Sequence, residues 1–389
     1  MNYALCINQR EAILKIFHTS DWHLGRMLYG RSLLEDQEYF INEIFLAAAE
    51  REKPDLVIIS GDIYDRKIAP TEAIRLFDSS MQKLSEMGIK IAVISGNHDS
   101  AERMAVMKPL LRKAGMFVST SLEDALEPVV LESGGEKLQL FLVPYLDNAE
   151  VRSYFGDEEL RGEASCMFRV LEELASMRQE DAVSIIAAHC FVSGASNSGS
   201  ESPIFVGGSG EIPSAVFSEF DYAALGHLHG PQKVGENGRY SGSPLKYSVD
   251  EEHQNKSFVI MDIENGQLTY RTEPIAALRD VRRISGLFDD IMEQGKAAQC
   301  RDYVEIILED SHPVLMAAQK LEPYYPKQLA VRSTWALQQL DNRQGERRGE
   351  LDEKELFTWF MKDICGTEIT DMDRELFSEI LHEIQTADL

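Results

Sequence analysis

The sequence predicts an α/β layered fold with largely parallel inner strands, followed by a small separate α+β domain. Three observations point there. The chain of 389 residues exceeds what one ordinary core serves. Over its first two-thirds, apolar strand-like runs alternate with amphipathic helical stretches, the order that builds a parallel sheet covered by helices. From about Leu278 this texture gives way to three shorter strand-like runs.

Each element has its own signal. ILKIFHTS (13–20) reads as a buried strand, and LEDQEYFINEIFLAAAER (34–51) sets Phe40, Ile41, Ile44 and Phe45 on one helical face. DLVIISGD (55–62) is a second apolar strand, introduced by Pro54. PTEAIRLFDSSMQKLSEMG (70–88) is a helix with Pro70 near its start and Gly88 as C-cap. IKIAVISGNHD (89–99) is a third strand, and AERMAVMKPLLRKAG (101–115) another helix. LQLFLVPY, AVSIIAAH and YAALGH add further strands. The Gly/Ser-rich run 190–217 breaks the rhythm and reads as a long surface loop beside a site or as a linker. RDVRRIS, DYVEIILED and QLAVRST are the strands of the second domain; 338–350 is a polar linker. Two amphipathic helices close the chain, carrying Leu356, Phe357, Phe360 and Ile364, then Met372, Leu376, Ile380 and Ile384. The expected boundaries are 13–276, 277–340 and 341–389.

The formal charge of −26 argues against nucleic-acid binding over the whole surface. It leaves room for contact through a metal site, a basic strip or a partner, because bound cations reverse the local field. The five cysteines are scattered and form no C-x-x-C pair, so no disulfide framework or thiolate zinc site is implied. No apolar run spans a bilayer, and MNYALCINQREA lacks the apolar core of a signal peptide; a cytoplasmic protein is expected.

Five strand ends carry the chemistry. HTSDWHLGR places Asp21 and His23 after the first strand, SGDIYDR places Asp62 and Asp65 after the second, and SGNHD places Asn97 and His98 after the third. AAHC supplies His189, and ALGHLHG supplies His227 and His229. Gly-Asn-His-Asp alone would read as a turn, since Gly and Asn tolerate positive φ. Yet five of the nine histidines sit in these turns, and strand ends in α/β sheets gather on one edge. Asp-x-His and His-x-His project alternate residues the same way in an extended segment. Carboxylate and amide oxygens mixed with imidazoles suit Mn²⁺, Fe²⁺ or Zn²⁺ rather than an all-oxygen calcium cage. The set outnumbers the needs of one ion and suits two ions sharing a carboxylate, a layout used for displacement at phosphorus.

These motifs resemble the calcineurin-like metallophosphoesterase superfamily. KIFHTSDWHLGR, SGDIYDR, VISGNHDS, LFLVPY, FDYAALGHLHGPQ and YSGSPLKYS are similar, in order, to the bacterial nuclease subunits related to double-strand-break repair nucleases. The resemblance covers about Ile13 to Pro274 and continues less specifically beyond; it does not cover residues 1–12. It implies a layered α-β-β-α sandwich with a smaller C-terminal α+β capping domain. It implies one metal on Asp21, His23 and His229, a second on Asn97, His189 and His227, and Asp62 bridging them. His98 matches the catalytic histidine, which is not a ligand. Asp65 stands where archaeal and eukaryotic relatives carry histidine; it could orient His98 or cap the turn, and the cap is expected. The implied cofactor is two divalent ions, Mn²⁺ in the family. The implied reaction is phosphodiester hydrolysis in DNA, exonucleolytic (3′-5′) on double strands and endonucleolytic on single strands or hairpins. The implied partners are DNA and a coiled-coil ATPase, in a heterotetramer containing a homodimer of this chain, with no membrane. Two rivals compete with this reading. One is another member of the superfamily: protein phosphatases resembling calcineurin read Gly-Asn-His-Glu where this chain has Asp99, and small cyclic-nucleotide phosphodiesterases usually lack the extra C-terminal domain; the other is a non-catalytic scaffold, whose decayed site would not keep all eight motif positions.

Overall fold

The computed structural model describes residues 13–201, 211–335 and scattered positions between 357 and 380. The polar run 338–350 and, of the C-terminal helices, Leu356, Phe360, Ile364 and Ile384 lie outside the described residues. The chain divides into two compact units after Val281.

The first unit is built on two six-stranded sheets. One runs Gln267–Pro274, Ser257–Glu264, Ile13–Thr19, Leu56–Ser60, Lys90–Ile94, Met116–Ser119. Its last four strands are parallel, and Ser257–Glu264 pairs antiparallel with the first of them. The other runs Gln232–Val234, Gly238–Tyr240, Tyr222–Gly226, Val183–His189, Glu136–Val143, Val129–Ser133, with the four inner strands parallel.

Alternation along the strands explains why the sheets stack. Leu14, Ile16, Leu56, Ile58, Ala92 and Ile94 pack against Leu138, Leu140, Leu142, Ile185, Ala187 and Ala224, forming one core between the sheets. The intervening residues Phe17, Val57, Ile59, Ile91 and Val93 face the opposite way and join Phe40, Ile41, Phe45 and Leu84 of the helices. On the second sheet Phe141, Val143, Ile186, Ala188 and Leu225 do the same with Val170, Leu171 and Leu174. Strands buried on both faces read as continuous apolar runs rather than alternating ones. The result is the expected α-β-β-α sandwich.

Two elements differ from expectation. The helix over 34–51 widens to a π-turn at Phe40–Phe45, which sets these two rings 5.8 Å apart in the core. The helix over 101–115 is broken into Ala101–Met104 and Lys108–Lys113, with Met107 at φ 63° between them. Pro109 has no N–H to continue the first helix, so the chain restarts with proline inside the first turn.

In the second unit, Val281–Gly286, Tyr303–Leu308 and Gln328–Ser333 form a sheet in that order. Phe288 and Ile291 of one helix and Leu321 of another bury against Val304, Ile306 and Leu308. Among the described C-terminal positions, Phe357 stacks on Phe377, while Met372, Leu376 and Ile380 are exposed.

Candidate metal centre

The five strand ends converge on one edge of the sandwich. The turns are strained there: Asp21, His23, Asp62 and His227 have φ of 54°, 43°, 50° and 106°. Non-glycine residues at positive φ are uncommon and cluster at functional sites. Main-chain bonds hold the turns together, Asp21 N–H donating to the Gly61 carbonyl at 3.0 Å and His23 N–H to that of Asp62 at 2.9 Å. The Asp99 carboxylate accepts from the backbone N–H groups of Gly96, Ile63 and Tyr64, tying the second and third strand ends together.

Among the described residues, Asp21, His23 and His229 offer ligand atoms to one point, and Asp62, His189 and His227 to another. His23 Nε2 lies 3.1 Å from His229 Nε2. Asp62 Oδ2 lies 3.5 Å from His23 Nε2 and 3.5 Å from His189 Nε2, so one oxygen touches both groups. Asn97 Oδ1 is 3.0 Å from His189 Nε2. Asp62 Oδ1 meanwhile accepts the His98 N–H at 2.9 Å.

The hydrogen bonds fix what these atoms can do. His189 Nδ1 donates to the Ser60 carbonyl at 2.9 Å, which leaves Nε2 facing the Asn97 and Asp62 oxygens. These oxygens and ring nitrogens, all buried except half-buried Asn97, converge where either a proton or a cation must sit between them. His23 Nδ1 is a further buried nitrogen with no hydrogen-bond partner. Two divalent ions fit this donor set.

The electrostatics agree. Burial pushes Asp21 up to about 6, with Asp62 adding to the rise. Burial also raises Asp99, to about 7, again with Asp62 adding to it. Burial would lower His189, but the Asp62 carboxylate overrides it and holds the imidazole at about 9. Burial pulls His227 down to about 3. Without metal, protons neutralise part of this site.

His98 belongs to neither of these two groups; with Asp65 it joins His23 in a third cluster of ligand-type atoms beside them. It is half-buried, and Nδ1 donates to the main-chain carbonyl of Asp65 at 2.9 Å. Its ring meets that of His23 edge-on at 4.8 Å. Asp65 does not act as expected. Its side chain pairs with Arg26 at 2.9 Å rather than capping the turn, because the guanidinium is the stronger, charge-assisted partner. His98 is oriented by the Asp65 backbone, not by its carboxylate.

Several residues of the site were not legible. Gln37 donates to the carbonyls of Trp22 and His23, and Tyr247 OH also bonds that of Trp22. Glu251 and Lys256 form a buried pair behind His229. Both lie in a polar stretch, DEEHQNK, that reads as surface. Ser198, Ser200 and Glu201 come from the Gly/Ser-rich run, which is bound to the site and is not a bare linker.

Comparison with known proteins agrees with this geometry. Residues 14–231 match the family model of calcineurin-like phosphoesterases. Residues 277–364 match a model described as the type 5 capsule protein repressor C-terminal domain. The chain is 35% identical over 322 residues to the SbcD component of the nuclease SbcCD from Staphylococcus epidermidis, covering 82% of this chain and 85% of that one. It is 32% identical over 372 residues to the protein of the same name from Staphylococcus saprophyticus, covering 95% and 98%. Among the described residues no helix is long and apolar enough to cross a membrane.

Proposed function

This chain belongs to the SbcD family of calcineurin-like phosphoesterases, and we propose that it is the Mn²⁺-dependent nuclease component of a DNA-processing complex. It hydrolyses phosphodiester bonds at double-strand ends and hairpins, in complex with an SbcC-type coiled-coil ATPase, during DNA repair, recombination and replication. The assembly contains two copies of this chain. The observation that carries the reading is Asp62 Oδ2, 3.5 Å from a histidine of each ligand group.

Asp21, His23 and His229 would hold one ion and Asn97, His189 and His227 the other, with Asp62 placed to serve both. When bound, the ions supply Lewis-acid neutralisation of charge at phosphorus and a nucleophilic water at neutral pH. The protein's own groups do the rest. The turn backbones fix the ligands before substrate arrives, which removes reorganisation from the reaction. His98 Nδ1 donates to the Asp65 carbonyl, which fixes the orientation of the ring beside the ligand groups. In this reading it donates a proton to the phosphate or the leaving oxygen, the role of a general acid. The 341–389 segment grips the partner, supported by exposed Met372, Leu376 and Ile380, spaced to lie along one helical face.

The test is cleavage of end-labelled hairpin DNA, with and without Mn²⁺ and the ATPase, alongside Asp62→Asn. We expect cleavage that needs Mn²⁺ and is lost in the variant, together with metal measured by mass spectrometry. Two ions bound to Asp62→Asn at wild-type affinity, or no diester hydrolysis by the wild-type complex, would overturn the reading.

A further inference from the structure

We infer that Glu251, acting through Ser200, is the positioning residue that fixes the tautomer of His229 and so aims its Nε2 into the metal centre. The inference rests on the two-metal reading above and goes beyond it, because neither residue is a ligand.

The argument is one of donors and acceptors. Glu251 is fully buried, and its Oε2 lies 2.5 Å from Lys256 Nζ. That ammonium also donates to the His229 carbonyl at 2.8 Å and to Ser243 Oγ at 2.9 Å. Facing a buried ammonium, Glu251 is a carboxylate, and a carboxylate only accepts. Its other oxygen, Oε1, bonds Ser200 Oγ; this charged acceptor takes the single hydroxyl proton of Ser200 in preference to Ser198 Oγ, 2.9 Å away, whose own proton goes to Glu201. Ser200 Oγ is therefore an acceptor toward His229 Nδ1, 2.5 Å away, and Glu251 Oε1 is itself 3.3 Å from the same nitrogen. Both neighbours of Nδ1 accept, so Nδ1 carries the proton. Nε2 is left as the lone pair, and it is the atom 3.1 Å from His23 Nε2.

The loop that delivers Ser200 is fastened at the same place. Glu201 Oε1 accepts the His229 N–H at 2.9 Å, and Arg26 donates to the Ser200 carbonyl at 3.1 Å. Ser198 bonds Glu201 Oε2 through both its N–H and its hydroxyl. A Cβ on Gly199 would come 2.9 Å from Asp250 Oδ2, so the segment lies close against the Glu251 turn. The described part of this run thus reaches His229 twice, through the Ser200 hydroxyl on its ring and through Glu201 on its backbone N–H.

Partners of this kind that orient a metal-binding histidine are typically worth about 10–100-fold in metal affinity. The experiment titrates Mn²⁺ calorimetrically into full-length wild type, Ser200→Ala, Ser200→Thr and Glu251→Gln. It also reads the histidine tautomers of each metal-free protein by ¹⁵N NMR after selective labelling. Ser200→Ala is expected to weaken one of two Mn²⁺ sites about 10–100-fold and to give His229 a mixture of tautomers. Ser200→Thr keeps the hydroxyl and should restore both. Folded Ser200→Ala and Glu251→Gln proteins that keep a single Nδ1–H tautomer and wild-type titrations would overturn the inference. Should Glu251→Gln fail to fold, the pair of Ser200 variants decides alone. A wild type that binds no Mn²⁺ would instead overturn the two-metal reading.

Discussion

Adjacent residues at a turn cannot easily serve one ion, and Asn97 and His98 divide accordingly. Asn97 Oδ1 turns toward His189 Nε2, 3.0 Å away, while the His98 ring turns toward His23 and anchors on the Asp65 carbonyl. Asn97→Ala should therefore lose affinity for one metal, with nuclease activity partly regained in excess Mn²⁺. His98→Ala should keep both metals and DNA binding while cleavage falls about 10²–10⁴-fold, the usual cost of losing a general acid–base group. A Mn²⁺ titration of activity separates them; equal rescue of both variants would refute the division. That these side chains would gather at one place was legible, because histidine is scarce and its clustering after strands is hard to produce by packing alone. Glu251 and Lys256 were not. A buried ion pair has the same local sequence as a solvated one, and only tertiary structure distinguishes them. Asp65 misled for a related reason, since its partner Arg26 reaches it from another turn.

The apolar strands were the most readable elements, since burial on both faces removes polar residues from the pattern. What closes the sheet was also written there but less obviously. Ser257–Glu264 and Gln267–Pro274 form a hairpin over Asn265-Gly266, both at positive φ (52° and 71°), the Asn-Gly turn that suits two-residue hairpins. The glycines before the ligands looked like turn formers, yet some are there for space. A Cβ on Gly226 would lie 1.8 Å from the Ser60 carbonyl oxygen, and one on Gly96 would lie 2.1 Å from Asp62 Oδ1. Gly226 and Ser60 belong to different sheets, so this glycine sets how closely the sheets approach beneath the site. Gly226→Ala should force them apart, costing about 1–3 kcal/mol as overpacked cores do and weakening Mn²⁺ binding. Denaturant unfolding with a parallel metal titration checks this; an unchanged midpoint would show that the strands shift freely. The C-terminal helices make a separate prediction. A chain ending at Gln339 should keep Mn²⁺-dependent cleavage and lose co-purification with the ATPase. Full retention of binding would move the partner surface elsewhere.

Across the whole molecule, the metal site makes stability depend on pH. Asp21, Asp99 and His189 have folded-state values of about 6, 7 and 9, above their ordinary 3.8, 3.8 and 6.5. A raised value means the folded state holds the proton more tightly than the unfolded chain. Each contribution is therefore complete below the ordinary value and is lost as pH rises through the folded one. His18 and His227, both lowered to about 3 by burial, act oppositely. Their contribution is present above 6.5 and lost as pH falls toward 3. The metal-free protein is thus weakened on both sides of neutrality, and on the alkaline side by Asp99 and by the Asp21 carboxylate and His189 imidazole that a cation would hold. Metal binding to such groups displaces protons, so its contribution grows with pH. Because a ligand that binds only the folded state stabilises it by mass action, saturating Mn²⁺ should raise the melting temperature more at about pH 8 than at about pH 6. Paired calorimetric melts with Mn²⁺ and with chelator, at both values, measure the difference. An increment that is the same at both, or larger at the lower pH, would mean that Asp21 and His189 do not exchange protons for metal.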